Sequence, residues 1–117
     1  MTEDITQDQA RALAPLVTAD EAVARVAAGA VLVDVRSDAG RAQDGAAAAA
    51  RVVAKDAIAQ DGVAALDGVP KDAEIVLFCG SVHGSGPTAQ SLFRQGFTNV
   101  VHVDGGFPAL KGAGIGD

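Results

Sequence analysis

The stretch Ile75-Val76-Leu77-Phe78-Cys79-Gly80-Ser81-Val82-His83-Gly84-Ser85-Gly86-Pro87 decides the fold of this chain. Its first four residues are apolar and partly β-branched, which predicts a strand buried on both faces. A glycine-rich segment follows directly, and we expect a helix to begin near Pro87, because proline suits the first helical turn. A buried strand, a glycine-rich turn and a helix in this order are typical of an α/β domain.

The rest of the chain repeats this alternation of strands and helices. Residues 31–35 and 99–103 have the composition of buried strands. A capping box formed by Thr18 and Glu21 predicts the start of a helix, and a second helical segment is interrupted at Gly62. Because strands that alternate with helices pair in parallel, we expect a layered domain with a parallel sheet.

The 117 residues fit one domain, for which we predict the bounds 13–117 after a loose polar leader at 1–12. Leu16-Val17 is a short apolar piece, 37–45 is a polar segment, and 52–53 is predicted as a short strand. The alanine run 46–50 is compatible with either helix or loop.

Charge and cysteine content limit the classes of partner. The net charge of −6 without a Lys/Arg cluster disfavours nucleic acid and anionic membrane surfaces. The acidic start predicts no secretory signal, and no apolar run is long enough to span a bilayer. A single cysteine forms no intramolecular disulfide, so we expect a cytoplasmic protein with a reduced thiol.

Polar or reactive residues follow three predicted strands, at the sheet edge where open parallel sheets bind ligands. They are Asp34 with Arg36, Cys79, and Asp104. Cys79 enters a glycine-rich turn whose N–H groups can converge on an anion or a thiolate, the nucleophilic form of cysteine. A purely structural role as a small buried side chain is the alternative for Cys79.

Several motifs, in the right order and spacing, resemble the rhodanese-like sulfurtransferases between about Leu16 and Gly112. The segments Val31–Arg36 and Ile75–Cys79 resemble the "LIDVR" phrase and the active strand of that family. The closing motifs of the family are matched by Leu92, Gly96-Phe97, Asn99-Val100 and Asp104-Gly105-Gly106-Phe107. This resemblance implies a three-layer α/β fold with a mostly parallel five-stranded sheet flanked by helices.

The resemblance also implies a chemistry. Cys79 would be the nucleophile that takes up sulfur as a persulfide and hands the outer sulfur to an acceptor. Asp34 and Arg36 would support the site, either near the reacting atoms or as an ion pair that holds the loop. The family needs no metal or organic cofactor; its partners are a small-molecule or protein sulfur donor and an acceptor. The oligomeric state is not encoded. The loop that surrounds the sulfur would consist of Gly80, Ser81, Val82, His83, Gly84 and Ser85.

The chain departs from the family pattern in three places. Gly84 stands where loops with thiosulfate activity carry an arginine, and the usual histidine-containing segment is replaced by Gly45 and the alanine run. Gly40 stands near the place of the acidic partner of Arg36. Losing a charged hydrogen bond costs roughly 1.5–3 kcal/mol, so these departures disfavour thiosulfate-to-cyanide turnover. Persulfide carriage from a neutral or protein-borne donor fits better.

Other functions remain as alternatives. The domain could be a binding or regulatory module in which Cys79 senses sulfane sulfur or oxidants. His83 either assists the thiol or is a solvated loop residue. A phosphatase or arsenate reductase would need an arginine in the loop. The match of residues 84–89 to G-x-G-x-x-A comes too late after the strand for dinucleotide binding, and Cys79, His83 and His102 lack a zinc-type spacing.

Overall fold

A computed structural model of the chain describes residues 15–36, 38–45, 50–79, 82–104 and 106–114. Strands and helices alternate throughout these ranges. In chain order they are β1 Leu16–Val17, α1 Ala19–Ala27, β2 Val31–Asp34, α2 Asp38–Asp44, β3 Arg51–Val52, α3 Lys55–Ala65, β4 Ile75–Phe78, α4 Val82–Arg94, β5 Val100–Val103 and α5 Gly106–Gly112.

The five strands form one sheet in the order β1-β5-β4-β2-β3, and each of its described pairings is parallel. β4 lies at the centre, and its four residues are completely buried. This is the burial expected of an apolar run between two neighbouring strands with helices on both faces. The predicted α/β fold with a five-stranded parallel sheet is confirmed.

The two faces of the sheet carry separate apolar clusters. On the α3–α4 face, Ile75 and Leu77 of β4 pack with residues of α3 and α4 such as Ile58 and Leu92. On the α1–α5 face, Val76 and Phe78 of β4 belong to a second cluster. That cluster also contains Ala22, Phe107 and Leu110. Successive side chains of a strand point to opposite faces of the sheet. Residues of β2, β4 and β5 therefore contribute alternately to the two clusters.

Helix α1 begins as the sequence predicts. Glu21 N–H donates to Thr18 Oγ1 (3.1 Å), and Thr18 N–H donates to Glu21 Oε1 (2.9 Å). These two bonds satisfy donors that a helix start leaves without an intrahelical partner. The helix ends before Gly29, whose φ of 114° favours glycine.

Helix α3 is interrupted one residue before the predicted position. Asp61 is extended (φ −160°, ψ 87°), which breaks the helical bond from Gly62 N–H to the Ile58 carbonyl. The Gln95 amide inserts there: its Oε1 accepts from Gly62 N–H (2.6 Å), and its Nε2 donates to the Ile58 carbonyl (2.8 Å). Gly62 is buried against α4, and a Cβ there would lie 2.9 Å from Leu92 Cδ2. The predicted interruption is therefore confirmed, and a side chain from α4 replaces the missing bond.

The sequence predicted that helix α4 begins near Pro87, and this prediction is wrong. The helix begins at Val82, so Pro87 lies inside it. Proline removes one helical N–H and usually drives the preceding residue out of the α region. Here the preceding residue is Gly86, and the absence of a Cβ removes part of that clash. The glycine-rich segment is accordingly helical over 82–86 and is not an extended loop.

Two further elements differ from the sequence analysis. Leu16-Val17 forms strand β1 beside β5, and the polar segment contains helix α2. Both are short and lack a hydrophobic period of their own. The predicted short strand at 52–53 is present as β3 at Arg51–Val52. The leader 1–12 and alanines 46–49 lie outside the described residues.

Candidate active site at the carboxyl edge of the sheet

The carboxyl ends of the strands bring Cys79 between β2 and β5. Val35 N–H donates to the Phe78 carbonyl (3.0 Å), and Leu77 pairs with His102. Asp34 pairs with Phe78, so the next residues, Val35 and Cys79, lie side by side. Two residues beyond the pair of Leu77 and His102, Cys79 lies beside Asp104 on the other side. The cysteine thus occupies the central position at the sheet edge that was predicted for it.

The side chain of Cys79 is partly exposed and has apolar neighbours on the α3–α4 face. The Cys79 carbonyl accepts a hydrogen bond from Phe107 N–H in the first turn of α5 (2.8 Å). Helix α4 begins three residues later, at Val82, so its positive dipole end lies next to the strand end. The thiol is therefore held by one well-packed strand and still faces the sheet edge.

The six predicted loop residues divide into two groups. Gly80 and Ser81 lie outside the described residues. Val82, His83, Gly84 and Ser85 belong to the first turn of α4. Their side chains lie outside the described part of the chain, so the proposed role of His83 stays a prediction.

Asp34 and Arg36 form a buried ion pair with bidentate geometry. Arg36 Nη2 donates to Asp34 Oδ2 (2.8 Å), Arg36 Nε donates to Oδ1 (3.0 Å), and Arg36 N–H also donates to Oδ1 (2.9 Å). The two side chains are 1% and 2% exposed. Gly40 stands near the place where an acidic partner for Arg36 was expected, and no such partner is present there in the sequence. Asp34, two residues before Arg36, is the acidic partner instead.

The guanidinium of Arg36 also packs on two aromatic rings. Its Cζ lies 3.9 Å from the ring centroid of Phe107 and 5.5 Å from that of Phe78. Within the described ranges its Nη1 has no hydrogen-bond partner, and the stacked rings offer the cation a substitute contact. Phe78 and Phe107 both belong to the α1–α5 face. The ion pair thus lies on the opposite side of the sheet from the Cys79 side chain.

A continuous set of contacts joins the ion pair to the cysteine. Asp34 orients Arg36, Arg36 stacks on Phe107, and the backbone N–H of Phe107 holds the carbonyl of Cys79. Of the two roles considered for Asp34 and Arg36, the geometry favours structural support over contact with the reacting sulfur.

His102 is completely buried in β5, opposite Leu77. His102 and Val100 are two residues apart in the same strand, so their side chains point to the same face of the sheet. That face is the α3–α4 face, which also holds Cys79. No group of three or more His, Cys, Asp or Glu side chains able to hold a metal ion is found in the part of the chain that the structure describes. The weak zinc hypothesis gains no support from these residues.

A cavity of about 250 Å³ opens at the same edge, next to the ends of β2 and β3. Its described lining is Val35, Arg36, Ala54, Lys55 and Asp56. Sequence reasoning missed this cavity and singled out neither Lys55 nor Asp56. The only available signal was that a lysine and an aspartate directly follow a weak predicted strand, which became informative once β3 was placed beside β2.

Comparisons with known proteins agree with this geometry. A family model described as "Rhodanese-like domain" matches residues 18–113. No match was found among curated proteins. Among the described residues, no helix is long and apolar enough to cross a membrane.

Solved structures share the fold. A protein of unknown function from Rhodopseudomonas palustris, described as a possible tyrosine phosphatase, superimposes with a TM-score of 0.75 at 22% identity, covering 99% of this chain and 98% of that one. The human single-domain sulfurtransferase TSTD1 gives 0.70 at 23% identity, with 85% and 96% covered. A rhodanese-like domain protein from Staphylococcus aureus gives 0.68 at 25% identity, with 81% and 89% covered.

Proposed function

Because this chain belongs to the rhodanese-like domain family, which includes sulfurtransferases, we propose that it carries sulfane sulfur as a persulfide on Cys79. The observation that carries the proposal is the position of the single cysteine. It stands at the carboxyl end of the central strand, between β2 and β5 and directly before α4. In open parallel sheets this edge is where ligands bind.

The proposed reaction is a sulfur transfer in two displacements. The Cys79 thiolate attacks the outer sulfur of a persulfide R–S–SH, the S–S bond of the donor breaks, and R–S⁻ leaves with the electron pair and takes up a proton. The enzyme then holds Cys79–S–SH. A nucleophilic acceptor attacks that outer sulfur, the new S–S bond breaks, and the Cys79 thiolate is restored. No external oxidant or reductant is consumed in this cycle.

Two features of the chain bear on the donor. The segment from Cys79 to Gly86 contains no Arg or Lys, and the net charge is −6. Thiosulfate concentrates two negative charges beside the reacting sulfur, so both features oppose its approach. We therefore propose a persulfide of a thiol or of a protein as donor. We assign the cycle to the cytoplasm, where a lone thiol is kept reduced between turnovers.

The absence of arginine from this segment also argues against a phosphatase. Phosphoryl transfer by a strand-end cysteine requires positive charge aimed at the equatorial oxygens of the phosphoryl group. The possible phosphatase description belongs to a structure that is 22% identical, which supports the common fold alone.

Intact-protein mass spectrometry tests the proposal directly. Wild type and Cys79→Ser are incubated separately with thiosulfate and with glutathione persulfide. We expect the wild type to gain one sulfur atom from the persulfide, to lose it to cyanide, and to load from thiosulfate about 10- to 100-fold more slowly. Cys79→Ser should gain no sulfur. If neither donor loads the wild type, sulfur carriage fails and the domain is better described as a binding or regulatory module.

A further inference from the structure

The cavity at the ends of β2 and β3 lies beside Cys79 in the sheet. Val35 lines the cavity and is also the neighbour of Cys79 across the β2–β4 pairing. Both side chains belong to the α3–α4 face. Cys79 does not itself line the cavity. A donor that uses both would place its sulfur at Cys79 and extend along the sheet edge, past the end of β2, into this space.

Lys55 is the cation that the fold leaves available in this cavity. Within the described ranges its ammonium has no hydrogen-bond or ion-pair partner, and its side chain is half-buried. Arg36 also lines the cavity, but its charge is neutralised by Asp34. Ala54, the N-cap of α3, offers no side-chain acceptor to the first helical turn, so the N–H groups beside Lys55 are not capped either.

The separation between Lys55 and the thiol sets how far the anionic group of a donor must lie from its sulfane sulfur. β4 and β3 are two strand spacings apart, so Val53, which is level with Cys79, lies about 10 Å from it, and Lys55 follows two residues later at the start of α3. Thiosulfate carries its charge on the group bonded directly to its sulfane sulfur and cannot bridge this distance. A donor can, if its anionic group is several bonds away from its sulfur.

Asp56 also lines the cavity, and its negative charge limits the charge that a ligand can bring there. Together, Lys55 and Asp56 leave little net positive charge, which disfavours a compact dianion. A single carboxylate can bind the ammonium of Lys55 while it stays clear of Asp56.

We propose that Lys55 is a specificity-determining residue that binds a carboxylate of the sulfur donor, and that the donor is a persulfide of a carboxylate-bearing thiol such as a cysteinyl peptide. This inference rests on the proposed sulfur carriage by Cys79. The carboxylate lies in the β2–β3 cavity while the sulfane sulfur meets the thiol at the end of β4. The positive charge missing after the cysteine is thus supplied from the start of α3, which follows β3.

The test compares glutathione persulfide with its diethyl ester, which lacks the free carboxylates. For wild type, Lys55→Gln, Lys55→Arg and Lys71→Gln, the rate of sulfur uptake on Cys79 is followed by intact-protein mass spectrometry. Lys71 is the matched control, an exposed lysine before β4 at the opposite edge of the sheet. We expect Lys55→Gln to slow loading by the acid about two- to fivefold and to leave loading by the ester unchanged. Lys55→Arg and Lys71→Gln should behave as wild type.

Equal rates for Lys55→Gln and wild type with the acid would overturn the role of Lys55 even though Cys79 carries sulfur. A second measurement separates this failure from that of the proposed function. The inert analogue S-methylglutathione is titrated into Cys79→Ser, with and without Lys55→Gln, and followed by NMR. Weaker binding after Lys55→Gln supports the carboxylate site even if the wild type takes up no sulfur. If the wild type takes up no sulfur, unchanged binding after Lys55→Gln rejects the carboxylate site.

Discussion

The two faces of the sheet differ in how they contain polar groups. The α3–α4 face holds Cys79 at its edge, and the polar side chain that joins its helices is the neutral amide of Gln95. The α1–α5 face holds a buried ion pair, Asp34 with Arg36, stacked on Phe107. The reactive thiol and the charged support therefore lie on opposite sides of the same strands. The backbone hydrogen bond from Phe107 N–H to the Cys79 carbonyl connects the two sides.

This separation has a physical advantage. A buried guanidinium needs a carboxylate and fixed geometry, because an uncompensated buried charge is costly. Placed on the face of the thiol, that carboxylate would repel the thiolate that the reaction requires. Placed on the other face, it fixes the strand end through Phe107, whose backbone N–H holds the Cys79 carbonyl.

The largest expected effect comes from breaking the ion pair on the α1–α5 face. Asp34→Ala leaves the Arg36 charge buried and uncompensated, so the free energy of unfolding should fall by about 3–5 kcal/mol. This is a large share of the roughly 5–15 kcal/mol that stabilises a typical domain. Urea denaturation followed by circular dichroism measures the change. The double variant Asp34→Leu, Arg36→Met, which removes both charges, should be clearly more stable than Asp34→Ala. A loss below 1 kcal/mol in the single variant would show that the pair is not buried as described.

A smaller effect is expected on the α3–α4 face. Gln95→Ala removes the amide that satisfies the Ile58 carbonyl and Gly62 N–H, and it should cost about 2–3 kcal/mol. Gln90→Ala in the same helix is the matched control, since Gln90 accepts only an exposed bond from Arg94. It should change the free energy of unfolding by less than about 0.5 kcal/mol. Equal urea midpoints for the two variants would contradict the role of Gln95 at the interruption of α3.

The smallest effect concerns the capping box of α1. Thr18→Ala should cost about 1 kcal/mol at neutral pH, because one helix-start donor loses its acceptor. The backbone hydrogen bond from Thr18 lowers the pKa of Glu21 below its ordinary value of 4.5. Because the pKa of Glu21 is lower in the folded state, the ionised Glu21 carboxylate stabilises the fold at a pH above its unfolded-state pKa. That stabilisation is lost as the pH falls through the folded-state pKa.

The control for that prediction is Glu21→Gln, which should remove this part of the pH dependence. Urea denaturation of wild type and variant is compared at neutral pH and at a pH below 4.5. The difference between the two proteins should shrink at the acid pH. A difference that stays constant would mean that the Glu21 carboxylate does not take part in the cap.

Much of the fold could be predicted because its signals are local. The apolar runs of β2, β4 and β5 and the capping box at Thr18 each lie within a few residues of sequence. Strand β1 and helix α2 could not be predicted, because β1 is two residues long and depends on β5, and α2 has no apolar stripe. The start of α4 was misplaced because Pro87 suggested a boundary, whereas Gly86 before it tolerates the helical conformation.

The candidate site divides in the same way. Cys79 was identified from its strand end and the glycines after it. The partner of Arg36 was sought elsewhere, although Asp34 stands two residues before it. Strand alternation alone placed the two side chains on one face, but their bidentate contact depends on the side-chain geometry. Lys55 carried only the weak signal of following a short predicted strand, because its place beside the cavity comes from the pairing of β3 with β2.

The class of fold, the central strand and the candidate nucleophile follow from the amino-acid sequence alone, because strong hydrophobic runs and a single cysteine leave few alternatives. The tertiary structure was needed to show on which face each polar side chain lies, which side chain replaces the missing bond in α3, and which cation lines the cavity at the ends of β2 and β3. Those features arise from strand order and register, which bring together residues that are distant along the chain and that no local pattern connects.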